Sequence, residues 1–310
     1  MWATRAASPR VMQTPDGAGL LARLASVREL QDRSRPVRWM ARPRALVVSH
    51  AARLAWKGLG LTVPATARTF FGDRMRVRLP ESVSSQLYLD GAFEFDLTEH
   101  FLRLVRPGWV VFDVGAHLGY YTLLASRLVG PTGHVHAFEP TPTTHDLLAR
   151  NTRDRQNVRL VDRAAWSHAT TLSFQDFGAS SSAFNSAFPP RSTALTTKQP
   201  RIHLVQAVSL DDYCAETGVV PDLVKIDAES AESQVLAGMS RLMTESAPFI
   251  TVEVGDEVST GTPSSRELLD SVVQRGYTPV RATEGGLRPE PLLGSYTYTN
   301  VLLAPLARMP

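Results

Sequence analysis

One cysteine, Cys214, among 310 residues excludes an intrachain disulfide and any zinc cluster built on several thiolates. No apolar run reaches the ~20 residues that a membrane span requires. The opening Met1-Trp2-Ala3-Thr4-Arg5 has no apolar core of a secretory signal, so a soluble, cytoplasmic protein is expected. Charged residues make up 20% and apolar residues 43%, which fits neither a disordered chain nor a membrane bundle. No internal repeat is visible. The length suits two domains or one large domain with extensions, and such a chain buries enough surface to fold without a metal.

Acidic residues are scarce at the start. Met1 to Gly60 holds eleven basic residues against Asp16, Glu29 and Asp32, whereas the remainder holds 22 basic and 27 acidic ones. A basic arm on an acidic body could meet nucleic acid or an anionic membrane. Packing explains it more simply. Leu20, Leu21, Leu24, Val27 and Leu30 form an apolar stripe at helical spacing, and Ala45 to Trp56 forms a second. Such helices would cover the body, form a lid or pair two subunits, so a homodimer is one arrangement they allow.

Beyond Pro64 the pattern predicts strands at Thr66–Phe71 and Met75–Leu79 and a helix near Asp96–Val105. Strands and helices then alternate. Strands are expected at 109–114, 134–139, 158–162, 202–208, 223–227, 249–254, 277–282 and 296–304. Helices are expected at 118–129, 144–151, 210–215, 231–242 and 268–275. This is the pattern of βαβ units and a parallel sheet. The Ser-, Thr- and Pro-rich stretch 177–200 interrupts it and reads as a lid over a site.

The most informative segment is Val110-Val111-Phe112-Asp113-Val114-Gly115-Ala116-His117-Leu118-Gly119-Tyr120-Tyr121-Thr122. A buried strand ends in an acid, and a Gly-containing turn opens a helix. Gly115 permits a tight turn and close approach of a ligand. The spacing is not the G-x-G-x-x-G of dinucleotide sites, and Asp113 would repel a pyrophosphate but suit a cationic ligand. A nicotinamide-dependent oxidoreductase is disfavoured on that ground. The next strand ends at Glu139, where a carboxylate can take both hydroxyls of a ribose.

These residues, with Ala137-Phe138-Glu139-Pro140 and Asp222 to Glu232, resemble the FkbM family of S-adenosylmethionine-dependent methyltransferases. The resemblance runs from about Phe93 to Gly255. It implies a doubly wound α/β Rossmann-like class I methyltransferase sheet of seven strands, one antiparallel. It also implies O-methylation of a sugar or secondary metabolite. On this reading residues 1–90 are an extension and 91–310 the methyltransferase domain. Asp113, Gly115, His117, Gly119, Tyr121, Thr122, Glu139, Asp162, Ala164 and Asp227 match cofactor-binding positions. Asp162 and Ala164 lie at the end of the third strand, where adenine sits. His117 stands where the family usually has Asn, and Ser230 where it usually has Gly; Ser230 at a helix start would serve as an N-cap.

Methyl transfer to an alcohol needs alignment of the acceptor and a group to take its proton. Asp227, Glu229 and Glu253 are the catalytic candidates, with His117 and His145 as further bases. Mg²⁺ held by Asp227, Glu253, Asp256 and Glu257 is a less favoured route. Tyr120 or Tyr121 could face a sulfonium, whereas Tyr88, Phe93, Phe95 and Trp109 read as core. No Asn- or Asp-Pro-Pro-aromatic turn follows Asp227, and Cys214 has no Pro before it. These absences weigh against base-methylating enzymes. A nucleic-acid methyltransferase anchored by the basic arm, and a cofactor fold without catalysis, remain the alternatives.

Overall fold

The computed structural model describes residues 17–33, 42–188, 199–256 and 263–309. The two apolar stripes are helices α1 (Gly17–Asp32) and α2 (Pro43–Leu59). Strands β1 (Val63–Arg68) and β2 (Arg74–Leu79) pair antiparallel, followed by α3 (Ser82–Asp90) and α4 (Phe95–Leu104). The first strand lies earlier than expected. Phe70 and Phe71 are buried in the turn, which Gly72 closes at φ 99°. The sequence reading missed α3. Its start is marked by Glu81, whose carboxylate accepts from the N–H groups of Val83 and Ser84.

The alternating region comprises β3 (Val110–Val114), α5 (Tyr120–Val129), β4 (His134–Phe138), α6 (Pro142–Thr152) and β5 (Val158–Val161). After a second small sheet come α7 (Leu210–Thr217), β9 (Leu223–Ile226), α8 (Glu232–Ala237), α9 (Ser240–Glu245) and β10 (Phe249–Val254). The chain continues with α10 (Ser265–Val273), β11 (Tyr277–Thr283), β12 (Gly286–Pro289) and β13 (Thr299–Pro305). The small sheet is β6 (Ala164–Ala165), β8 (Arg201–Val208) and β7 (Thr170–Asp176) in that order.

The main sheet runs β5-β4-β3-β9-β10-β13-β11-β12. β5, β4, β3, β9 and β10 are parallel, and β13 lies antiparallel between β10 and β11. This is the doubly wound α/β sheet that the resemblance implies, with one correction. An eighth strand, β12, folds back on β11 through the turn at Glu284-Gly285, so the sheet has eight strands rather than seven. The helix expected over 231–242 is also two. A Cβ on Gly238 would lie 1.9 Å from the Trp166 carbonyl oxygen, and α8 stops where the chain passes that backbone.

Strand alternation sorts the core onto both faces of the sheet. Val111, Leu223 and Phe249 pack on one side with α1, α4 and α5. Their neighbours Phe112, Val224 and Ile250 pack on the other with α7, α9 and α10. Polar side chains therefore collect at the carboxyl ends of the parallel strands, where ligands bind in open α/β sheets.

Candidate active site

A cavity of about 360 Å³ opens at those ends, within the size range of small-molecule sites. Gly115, His117, Tyr121, Glu139, Ala164, Asp227, Glu229 and Glu253 line it, eight of the residues singled out in the sequence. Gly115 sits at φ 73°, and a Cβ there would lie 1.7 Å from the Asp227 carbonyl oxygen. Only glycine lets the ends of β3 and β9 come this close. His117 also has a left-handed backbone, at φ 49°. Asn and His both tolerate that region, which accounts for the exchange with the family's usual Asn.

Glu139 is buried at the end of β4. One carboxylate oxygen accepts from the His117 N–H and the other from the Thr141 N–H, both at 3.0 Å. Burial raises its pKa, and the His117 and Thr141 contacts oppose the rise. Each oxygen keeps a further lone-pair site for a diol. Ala164, Ala165 and Trp166 form an apolar shelf next to it.

Lys225 lies beneath the cavity, 2% exposed at its side chain. Register pairs it with Asp113 across β3 and β9, and Asp227 follows two residues on, on the same face. Its ammonium nitrogen is 3.3 Å from Asp113 and 3.3 Å from Asp227, and donates to the Gly115 carbonyl at 3.1 Å. Burial lowers the lysine pKa, but Asp227, Asp113 and Glu94 more than offset this, and the net shift is upward. The Lys225 ammonium also stands 5.4 Å over the Tyr121 ring, so that ring's cation is internal.

Asp227, Glu229 and Glu253 each present one oxygen within 4.8 Å of the others, close enough to surround one cation. Glu253 is pushed well above the ordinary carboxylate range, first by burial and then by Asp227 and Glu229. A fourth carboxylate, Glu94, was not legible in the sequence. It has φ 42° before α4, accepts from the Tyr121 hydroxyl at 3.0 Å and from Asn300 at 2.7 Å. Burial and the Asp227 charge push it up to about 7, against Lys225 and its hydrogen-bond donors. Register places Asn300 opposite Glu253.

Several expected residues fall elsewhere. Asp113 is fully buried behind the cavity, taking a 2.6 Å hydrogen bond from Thr122. Thr122 therefore anchors the strand end and does not line the site. Gly119 does not line it either; at φ 91° it lets α5 pass Leu148, whose Cδ1 would be 2.6 Å from a Cβ. Asp162 is exposed outside the cavity, because the chain turns at once into β6 and presents Ala164 instead. His145 is likewise on α6 and outside. Asp256 accepts from the N–H groups of Ser265 and Tyr296, so it fixes a turn. Glu257 lies outside the described residues. Ser230 is not an N-cap: α8 begins at Glu232 after Ala231. Glu232 instead accepts from the N–H groups of Ala228 and Ser230.

Of the proposed lid, residues 189–198 lie outside the described residues. The part before them reaches the cavity with Ser182, Phe184 and Asn185. His117 Nε2 is hydrogen-bonded to Ser182 at 2.9 Å, and Ser186 donates to the Glu229 carbonyl at 2.5 Å. Phe93 lines the cavity, whereas Trp109 stacks on Phe249 in the core.

A doubly wound sheet with a carboxylate-rich cavity at the carboxyl ends of its parallel strands defines an open α/β fold with a ligand site at its switch point. The chain belongs to the methyltransferase FkbM domain family, whose model matches residues 113–279, more than half of its length. It is 32% identical over 160 residues to the 31-O-demethyl-FK506 methyltransferase FkbM of Streptomyces tacrolimicus, covering 44% of this chain and 61% of that one. It is 30% identical over 167 residues to the hexuronic acid methyltransferase AglP of Haloferax volcanii, covering 52% and 62%. The matched stretch thus spans about three fifths of each relative. A crystal structure of a methyltransferase FkbM from Methylobacillus flagellatus KT aligns over 72% of this chain and 54% of that one, with 13% identity and a TM-score of 0.40. No helix among the described residues is long and apolar enough to cross a membrane.

Proposed function

We propose that this chain transfers a methyl group from S-adenosylmethionine to a hydroxyl of a sugar or secondary metabolite. The observation that carries the reading is the grouping of Asp227, Glu229 and Glu253 beside Glu139 in one cavity of a family methyltransferase domain. The donor set fits the cofactor. Glu139 would hold the ribose hydroxyls, Ala164 and Trp166 the adenine, and the backbone around Gly115 the methionine end. When bound, the cofactor supplies an electrophilic methyl group on a sulfonium. The carboxylates favour cationic charge there. They also hold the acceptor hydroxyl and take its proton as the oxygen attacks, a contribution of roughly 10²–10⁴ in rate. Asp227, Glu229 and Glu253 are the proposed catalytic residues, with Glu94 beside them. Residues 1–90 are proposed as an extension that closes the acceptor side, since Ser82, Val83 and Gln86 line the cavity. The names of the two relatives, a 31-O-demethyl-FK506 methyltransferase and a hexuronic acid methyltransferase, support hydroxylated acceptors. A cytoplasmic location is part of the same proposal.

The test is transfer of isotope-labelled methyl from S-adenosylmethionine to a panel of sugars and polyketide alcohols. Glu253→Gln should lower kcat by at least about 10² while leaving product-cofactor binding intact. Because burial and the Asp227 charge push Glu94, beside the cluster, up to about 7, the rate should fall as pH drops below about 7. A rate independent of pH from 5 to 8, with Glu253→Gln fully active, contradicts the assignment. The spacing of the three carboxylates supports a second reading in which a divalent cation binds there. Unchanged turnover after EDTA treatment removes it.

A further inference from the structure

A second cavity, of about 470 Å³, lies beside the first, between β2, the first turns of α6 and the facing ends of β7 and β8. Arg78, Arg150 and Arg201 line it. None of the three forms an ion pair among the described residues. The N-terminus of α6 has no side-chain cap, because Thr141 at that position makes none. Thr144, 3% exposed, lines the cavity, and its hydroxyl has no hydrogen-bond partner among the described residues. A buried hydroxyl without a partner is uncommon.

Two acids also border the cavity, Asp146 and Asp176. Asp176 is engaged. One oxygen accepts from the Gly178 N–H, and the other accepts from Thr143 and lies 3.3 Å from His203. That leaves three guanidinium groups, an uncapped helix start and a free hydroxyl against two carboxylates, one of them buried and already hydrogen-bonded. This is the donor set of an anion site.

The two cavities share Leu118 and Ser182. Their charges are opposite. The first is walled by Glu94, Glu139, Asp227, Glu229 and Glu253, and the one Lys or Arg among its described lining residues, Lys225, is paired with Asp113 and Asp227. An acceptor carrying a negative group is repelled there and attracted next door. We propose that the Arg78–Arg150–Arg201 cavity holds an anionic group of the acceptor, phosphoryl or carboxylate, and so orients a hydroxyl of the same molecule toward the carboxylate cluster. That the anion belongs to a methyl acceptor rests on the methyl-transfer reading; the anion site does not.

Calorimetric titration of the full chain at fixed ionic strength tests this, with inorganic pyrophosphate, glucuronate and glucose as probes. At least one anion should bind and glucose should not. Pyrophosphate alone assigns a phosphoryl group, glucuronate alone a carboxylate, and both a general anion site. Arg150→Ala with Arg201→Ala should raise the dissociation constant by about tenfold or more. Both side chains are exposed, so the melting temperature should stay put. Thr144→Val, which keeps the shape, should weaken binding as well. No binding of either anion, or equal binding by the double variant, overturns the proposal. S-adenosylhomocysteine titrated in parallel separates the two readings. Its binding without anion binding removes the anion site alone, and anion binding without it removes the methyl-transfer reading alone.

Discussion

Ser230 stands at φ 81°, next to Glu229 at φ 47°. Two successive non-glycine residues in the left-handed region are strained, and the strain lies in the loop that carries Glu229 into the cavity. Glycine, the residue the family usually has here, adopts that conformation without penalty. Ser230→Gly should therefore raise stability by up to about 1 kcal/mol in urea unfolding; a loss of stability would mean that the serine hydroxyl makes a compensating contact. Gly115→Ala should act the other way. Its Cβ would fall 1.7 Å from the Asp227 carbonyl oxygen, which is backbone and cannot step aside. A loss of more than about 2 kcal/mol is expected, and a variant melting within a degree or two of the parent would contradict the close approach of β3 and β9. Gly115, Glu139 and Asp227 were legible in the sequence because each ends a strand inside a local motif. Glu94 was not. Its partner Asn300 lies 206 residues away, and no spacing in the sequence joins them.

Seven strands of the main sheet were placed to within three residues at either end, because their apolar runs are short and bounded by Gly, Pro and Asp. The elements that escaped are those whose pattern is set by tertiary contact. Helix α3 is polar enough to read as loop, β12 exists only as the return arm of β11, and β6 and β7 form only by pairing with β8. β4 carries a less visible device. His136 is 4% exposed, hydrogen-bonded through Nδ1 to the Tyr213 hydroxyl at 2.7 Å and packed against Phe112. Burial lowers its pKa to about 4, helped by Arg159. Between pH 4 and 6.5 the unfolded chain binds this proton and the folded chain does not. The contribution of neutral His136 is thus fully present above pH 6.5 and lost as pH falls toward 4. Its imidazole resonances should keep neutral shifts at pH 5.5; titration near 6.5 would show that β4 is not packed as described.

At the scale of the whole molecule, helix α1 of the basic arm is part of the same body. Leu20 and Leu24 of α1 join the core cluster that contains Phe101, Leu124 and Phe249. The sequence separated an acidic domain from a basic extension by charge, but apolar packing crosses that boundary. Charge reappears in the contrast between two adjoining cavities, one walled by carboxylates and one by arginines. The first of them carries the central claim, that Glu139 and the ends of β3, β4 and β9 hold S-adenosylmethionine.

The most direct measurement is the melting temperature with S-adenosylhomocysteine, with NAD in parallel, for the parent chain and for Glu139→Gln. At a hundred times its dissociation constant the ligand should add about 2.7 kcal/mol, or roughly 5–10 °C for a chain of this size. The account predicts that shift with S-adenosylhomocysteine, little with NAD, and a much reduced shift in Glu139→Gln. No shift with S-adenosylhomocysteine, or a full shift in the variant, would contradict it.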